Sequence, residues 1–292
     1  MISCLTINLT AVNKIAAQPR SYTGYLVRGL IYTLLRLSNP ELAEKLHQEK
    51  GSPASFSIKP PHTLQEKLCL YHREIPENAY FTITATFLRE DLPQILCHSL
   101  LNLQGEIPLG SGKATINEIL LQQVTPQHLQ EAEAIEKFSI QFITPTFFRV
   151  HIPKAVRRAE QVRVLPLPDP VHLFTNLYNT WNSYLKPKFS SDYLEWLQQH
   201  PILISRLKNI KTHRYYEHPV KGVFAIGFTG TAYYSLAEDT YDRKMARITH
   251  QLLKMAEHTN VGGNRTAGYG WITFKALPPD KGREASNKGE LH

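Results

Sequence analysis

Apolar and polar residues alternate from Cys4 to Leu9, and a period of two predicts a strand with one buried face. From about Tyr22 to Leu37 the spacing lengthens to three and four. That predicts a helix whose buried face holds Leu26, Gly29, Leu30, Thr33, Leu34 and Leu37. Asn39 before Pro40 marks a new helix, an N-cap followed by proline in the first turn, with Leu42, Ala43 and Leu46 on its inner side. Strands are expected from Phe56 to Ile58 and Tyr80 to Leu88, a helix from about Leu92 to Leu103, and a strand near Lys113 to Leu120. The order then repeats. A strand from Phe138 to Phe142 leads through a helix-rich region, Pro170 to about Gln199, to strands at Thr212 to Tyr216 and Gly222 to Thr229. A helix from about Tyr241 to His258 sets Met245, Ile248, Leu252, Met255 and Ala256 on one side, and Trp271 to Lys275 closes as a strand. Each half reads as βαββαβ, so the chain is expected to be α+β, two tandem ferredoxin-like (RRM-like) domains. The expected boundaries are 1–135 and 136–277, followed by a polar, charged tail at 278–292 that reads as disordered.

Composition narrows the function classes. At 292 residues, 42% hydrophobic and 20% charged, the chain reads as a soluble globular protein with a core in each half. Its longest apolar runs, such as Val223 to Phe228, are strand-sized and too short to span a bilayer. Met1 to Leu5 lacks a basic region before an apolar one, so no secretory signal is expected. Three widely spaced cysteines, Cys4, Cys69 and Cys97, read as reduced thiols in a cytoplasmic protein. A formal charge of +8 favours nucleic acid or another anionic surface as partner.

Four groups of residues are candidates for chemistry. On a helical wheel Arg28, Tyr32 and Arg36 fall opposite Leu30 and predict an exposed basic and aromatic ridge, which also reads as a tyrosine packed on arginine stems. His47 ends the next helix, with Lys45 and Lys50 nearby; a histidine there suits acid–base work, and equally a structural role. Lys154, Arg157, Arg158 and Arg163 form a basic cluster able to track a nucleic-acid backbone or simply to face solvent, and Lys208 to Tyr216 interleave cations with aromatics. The last group is the loop Asn260-Val261-Gly262-Gly263-Asn264-Arg265-Thr266-Ala267-Gly268-Tyr269-Gly270, whose glycines let backbone N–H groups approach an anion. Metal-ligand spacings are lacking: there is no HExxH, and Cys69 with His72 has no second pair. Gly105 to Lys113 fails the Walker pattern, and the glycine loop follows a helix, the reverse of a dinucleotide-binding turn.

Taken together these features resemble the CRISPR repeat-processing endoribonucleases of the RAMP superfamily. The loop is similar to that family's G-h-G, five residues, G-h-G register, with Asn260 in place of the first glycine. Tyr32 and His47, the latter closing Asn39-Pro40-Glu41-Leu42-Ala43-Glu44-Lys45-Leu46-His47, stand where the family has a helix tyrosine and a following histidine. Lys50 is the nearest match to the family's lysine, and Thr144-Pro145-Thr146-Phe147 looks like the motif that opens the second half. The resemblance implies metal- and cofactor-independent cleavage of CRISPR precursor RNA within each repeat. The 2′-hydroxyl attacks the adjacent phosphate and leaves a 2′,3′-cyclic phosphate. It implies His47 as acid or base, Tyr32 as its partner, and Lys50 or Arg28 as electrostatic stabiliser. Gly262, Gly263, Asn264, Arg265, Thr266, Gly268 and Gly270, with Lys154, Arg157 and Arg158, would hold the RNA. Such a protein works as a monomer or homodimer, or beside other CRISPR effector subunits. The alternative is a RAMP subunit that grips guide RNA without cutting it.

Overall fold

The computed structural model describes residues 1–17, 22–48, 53–64, 67–103, 105–150, 163–218 and 223–278. The first half runs β1 (Ile2–Ala11), β2 (Ile15–Ala16), α1 (Gly24–Ser38), α2 (Pro40–Gln48), β3 (Phe56–Thr63), β4 (Cys69–Leu70), β5 (Glu74–Ile75), β6 (Tyr80–Phe87), α3 (Asp91–Leu101), β7 (Glu106–Leu109) and β8 (Gly112–Val124). After α4 (Pro126–Gln130) the second half runs β9 (Lys137–Thr146), β10 (Phe148–Arg149), β11 (Val164–Leu165), α5 (Pro170–Tyr184), α6 (Asp192–Leu197), β12 (Ile202–His218), β13 (Val223–Leu236), α7 (Arg243–Thr259) and β14 (Ile272–Leu277).

The first sheet has the order β4-β3-β6-β1-β8-β7 and the second β12-β13-β9-β14, with every pairing antiparallel. Reduced to four strands, each places its first strand between its third and fourth. That is the ferredoxin-like arrangement expected of βαββαβ, and the two tandem folds stand as read from the pattern.

Alternation along β1 sends Leu5, Ile7 and Leu9 under α1 and α3, where they meet Val27, Leu30, Leu34, Leu92 and Leu96. The opposite face carries short polar side chains tied to one another. Thr82 donates to Asn8 (2.8 Å), and Asn8 donates to Glu118 (2.7 Å). An RRM-type reader would instead present aromatic rings there for base stacking. In the second half β9, β13, α5 and α7 build a core around Phe138, Phe142, Trp181 and Leu252. Ile2 and Cys4 of β1 join that core, so the two halves share apolar packing. Capping fixes two helix starts. The Asp169 carboxylate accepts from the His172 amide ahead of Pro170, and that of Asp242 accepts from the Met245 amide.

Three expectations need correction. The buried face of α1 is Val27, Leu30, Ile31, Leu34 and Leu35, whereas Gly29, Thr33 and Leu37 are exposed. The apolar stripe is wide enough to fit two registers, and packing against α3 selects this one. Tyr32 is consequently buried, not part of an exposed ridge. Strands β12 and β13 are far longer than the segments expected from alternation. β12 is an edge strand with Leu203, Ile204 and Leu207 all facing solvent, so it lacks the one-sided burial that makes alternation visible.

Candidate active site

An open cleft of about 1070 Å³ lies between the halves. Arg28, Tyr32, His47 and the segment 53–56 form one wall; Arg149, one side of α5 and the glycine loop form the other. Residues far apart in sequence thus meet, among them Arg28, Tyr32, His47 and Gly262 to Thr266, which the patterns singled out.

The first wall is held by rings. His47, exposed in the last turn of α2, stands edge-on to Tyr32 with centroids 5.5 Å apart and planes at 87°. Tyr32 in turn leans on Phe56 (5.9 Å), and the Arg28 guanidinium lies 5.7 Å from the Tyr32 ring centroid. Among the described residues no hydrogen bond engages either ring nitrogen of His47. The ring is packed from one side and keeps both nitrogens available for proton transfer. Arg36 is exposed in the last turn of α1 and does not line the cleft.

The second wall is held by hydrogen bonds. The end of α7 turns at Asn260 with φ 57°, and its side-chain amide donates to the Ile58 carbonyl of β3 (2.9 Å) and to that of Tyr269 (3.0 Å). Asparagine in place of the family's first glycine therefore keeps the left-handed backbone and adds a tie to the other half. Gly262 N–H donates to Asn176 Oδ1 (2.8 Å), and Gly263 N–H to the Phe147 carbonyl (2.9 Å). Asn264 reaches the Tyr25 hydroxyl of α1 at 2.9 Å.

The loop is wedged between the halves, and this changes what its glycines are for. A side chain at Gly24, the first residue of α1, would run into the Ala267 carbonyl oxygen. One at Gly270, where φ is 73°, would strike the Val261 carbonyl oxygen. Tyr269 packs edge-on to Tyr22, Tyr25 and Phe147, forming a small third core under the loop. Gly24 of α1 and Gly270 of the loop are thus both required by protein packing.

Arg265 differs most from its expected place. Its side chain is 4% exposed, donating to the Thr259 carbonyl (3.1 Å) and, across the cleft, to that of Ala54 (3.0 Å). Burial pushes its pKa down to about 10, with Tyr184 pulling the other way, so it stays charged at neutral pH. A guanidinium engaged in this way braces the two walls instead of reaching for a phosphate. Tyr184 of α5 donates to the neighbouring Pro53 carbonyl (2.5 Å), so two donors from the second half pin the segment joining α2 to β3.

Lys50, Lys154, Arg157, Arg158 and the 279–292 tail lie outside the described residues. Gly268 packs on Pro60, and Thr266 lines the cleft. Sequence reasoning missed Arg149 and the polar row Asn176, Asn179, Ser183 on α5, all of which line the cleft. Their spacing of three and four was a usable sign of one exposed helix face. A smaller pocket of about 480 Å³ adjoins the cleft and shares Arg149, Asn176, Asn179, Gly262 and Gly263 with it.

A buried polar cluster sits behind the cleft, where α7 meets the first sheet. Cys4 Sγ lies 3.8 Å from His258 Nδ1, and Lys59 Nζ lies 5.1 Å from the Trp271 ring centroid. Burial, with Lys59, His128 and Lys254 nearby, lowers the His258 pKa to about 4. Burial raises the Cys4 and Glu257 pKa values and lowers that of Lys59. All three cysteines are free thiols. No described helix is long and apolar enough to cross a membrane.

The chain thus folds as two tandem ferredoxin-like units that meet at the glycine loop. Residues 140–272 match the family model for the CRISPR-associated endoribonuclease Cas6. Solved structures agree on the fold. A Thermus thermophilus Cas6 product complex superposes with a TM-score of 0.74 at 22% identity, over 94% of this chain and 100% of that one. A second Cas6 product complex gives 0.69 at 20% identity over 94% and 100%, and a Cas6-related protein from Pyrococcus furiosus gives 0.56 at 11% over 94% and 99%. By sequence, no curated protein matches the chain.

Proposed function

We propose that the cleft cuts CRISPR precursor RNA within its repeats, without a metal ion, by in-line attack of the 2′-hydroxyl on the neighbouring phosphate. The bond formed is O2′–P and the bond broken is P–O5′, giving a 2′,3′-cyclic phosphate and a free 5′-hydroxyl. His47 is the proton-transfer group, Tyr32 sets its ring plane and offers a phenol, and Arg28 supplies charge to the dianionic transition state. The observation that carries this reading is the convergence of Arg28, Tyr32 and His47 with the glycine loop in one open cleft.

The test is incubation with repeat RNA from the host's own arrays in excess EDTA, with the product ends mapped. One cut leaving a cyclic phosphate, lost in His47→Ala and blocked by a single deoxynucleotide upstream of the cut, is the expected result. Tight binding with no cut on any host repeat would instead assign the chain to guide-RNA binding.

A further inference from the structure

The smaller pocket beside the cleft has a lining that suits one unpaired base. Its volume of about 480 Å³ falls within the ~300–1,000 Å³ of sites that enclose small ligands. Val150 and Val171 give it apolar sides, Arg149 a planar cation, and His172, Asn176 and Gln198 polar atoms. Flat apolar and guanidinium surfaces receive base faces, while amides and imidazoles read base edges.

Two of those readers are already oriented. Asn176 spends its carboxamide oxygen on Gly262 N–H (2.8 Å), which fixes the amide so that its NH₂ is left over at the border of the two cavities. The ring of His172 is fixed by Nδ1, 2.6 Å from the Asp169 carboxylate, which also caps α5 through the His172 backbone N–H (2.8 Å). That leaves Nε2 as the ring's remaining polar atom. Groups held before the ligand arrives lose little entropy on binding and discriminate better for it.

Resting on the cleavage reading, we infer that this pocket is a nucleotide subsite: it takes the base of one unpaired nucleotide flanking the cut and selects it by its edge. The strand crosses from cleft to subsite over Asn176, Asn179 and Gly262–Gly263, the residues the two cavities share. This site adds sequence selectivity that in-line 2′-hydroxyl chemistry does not have.

The test is a binding titration with repeat RNA in which each position near the cut is made abasic in turn, against wild type and His172→Ala/Gln198→Ala. In wild type one flanking position should cost about 10- to 100-fold in Kd, the range of a lost base contact. In the double variant the cost at that position should shrink several-fold, to what the base faces alone contribute on Arg149, Val150 and Val171, while all other positions keep their wild-type sensitivity. If every position keeps its wild-type sensitivity in the variant, the subsite is overturned. The titration does not need the cut, so a wild type that binds and never cleaves would overturn the cleavage reading alone.

Discussion

The two walls of the cleft are built on opposite principles. The first carries His47, exposed at a helix end and edge-on to Tyr32, which in turn leans on Phe56. The second is tied by hydrogen bonds at Asn176, Asn260, Asn264 and Arg265, the last three of which cross to the other half. On the proposed reading, the difference separates a wall that exchanges protons from one that keeps its shape. A proton-transfer group needs free nitrogens and modest contacts, whereas a loop with left-handed residues persists only where its surroundings over-determine it.

If this division holds, mutations on the two walls should fail in different ways. His47→Ala should lower the cleavage rate constant roughly 100- to 10,000-fold while leaving the Kd for repeat RNA within a few-fold, read from single-turnover kinetics beside a binding titration. An equally fast variant would remove His47 from the chemistry. Arg265→Ala should behave as a stability mutant. It loses two charge-assisted hydrogen bonds from a buried site, about 2–4 kcal/mol in denaturant unfolding, and leaves the salt slope of RNA binding unchanged. A flatter slope with unchanged stability would reinstate the phosphate-contact role expected from the loop's composition.

Arg28→Ala sharpens the contrast within the first wall. It should cost about tenfold in cleavage and reduce the magnitude of the salt slope by about one, with thermal stability nearly unchanged. The smallest effect belongs to the cluster behind the cleft. The folded pKa of His258, about 4, lies below the ordinary 6.5. The unfolded chain therefore takes up the proton first, and stability present above about pH 6.5 drains away as pH falls toward 4. Glu257, raised by burial, works in the opposite direction. The net loss from pH 7 to 5 should be on the order of 1 kcal/mol. His258→Gln should flatten that slope in thermal melts taken across the interval.

The fold was legible because both halves repeat one order of elements and each element carries its own period. His47 and Tyr32 were legible as residue types in a segment, and the loop as a glycine pattern. What those residues touch was not. The burial of Tyr32 depends on which of two registers the apolar stripe of α1 adopts, and that is settled by α3 and β3. The bracing by Arg265 depends on Ala54, a backbone carbonyl that carries no sequence signal. The asparagine row of α5 escaped because neutral polar residues on a helix read as ordinary surface until a cavity is found beside them.

One feature of the loop bears on how the protein is made. Synthesis delivers the His47 wall first, and the opposite wall follows in turn with Arg149, α5 and residues 260–270. The tie to Ile58 is made by Asn260 and that to Ala54 by Arg265, both late in the chain. On the proposed reading, a nascent chain stalled before Arg265 would hold His47 without the glycine loop that faces it. The cleft is complete only once residues 260–270 are in place, just ahead of the last β-strand.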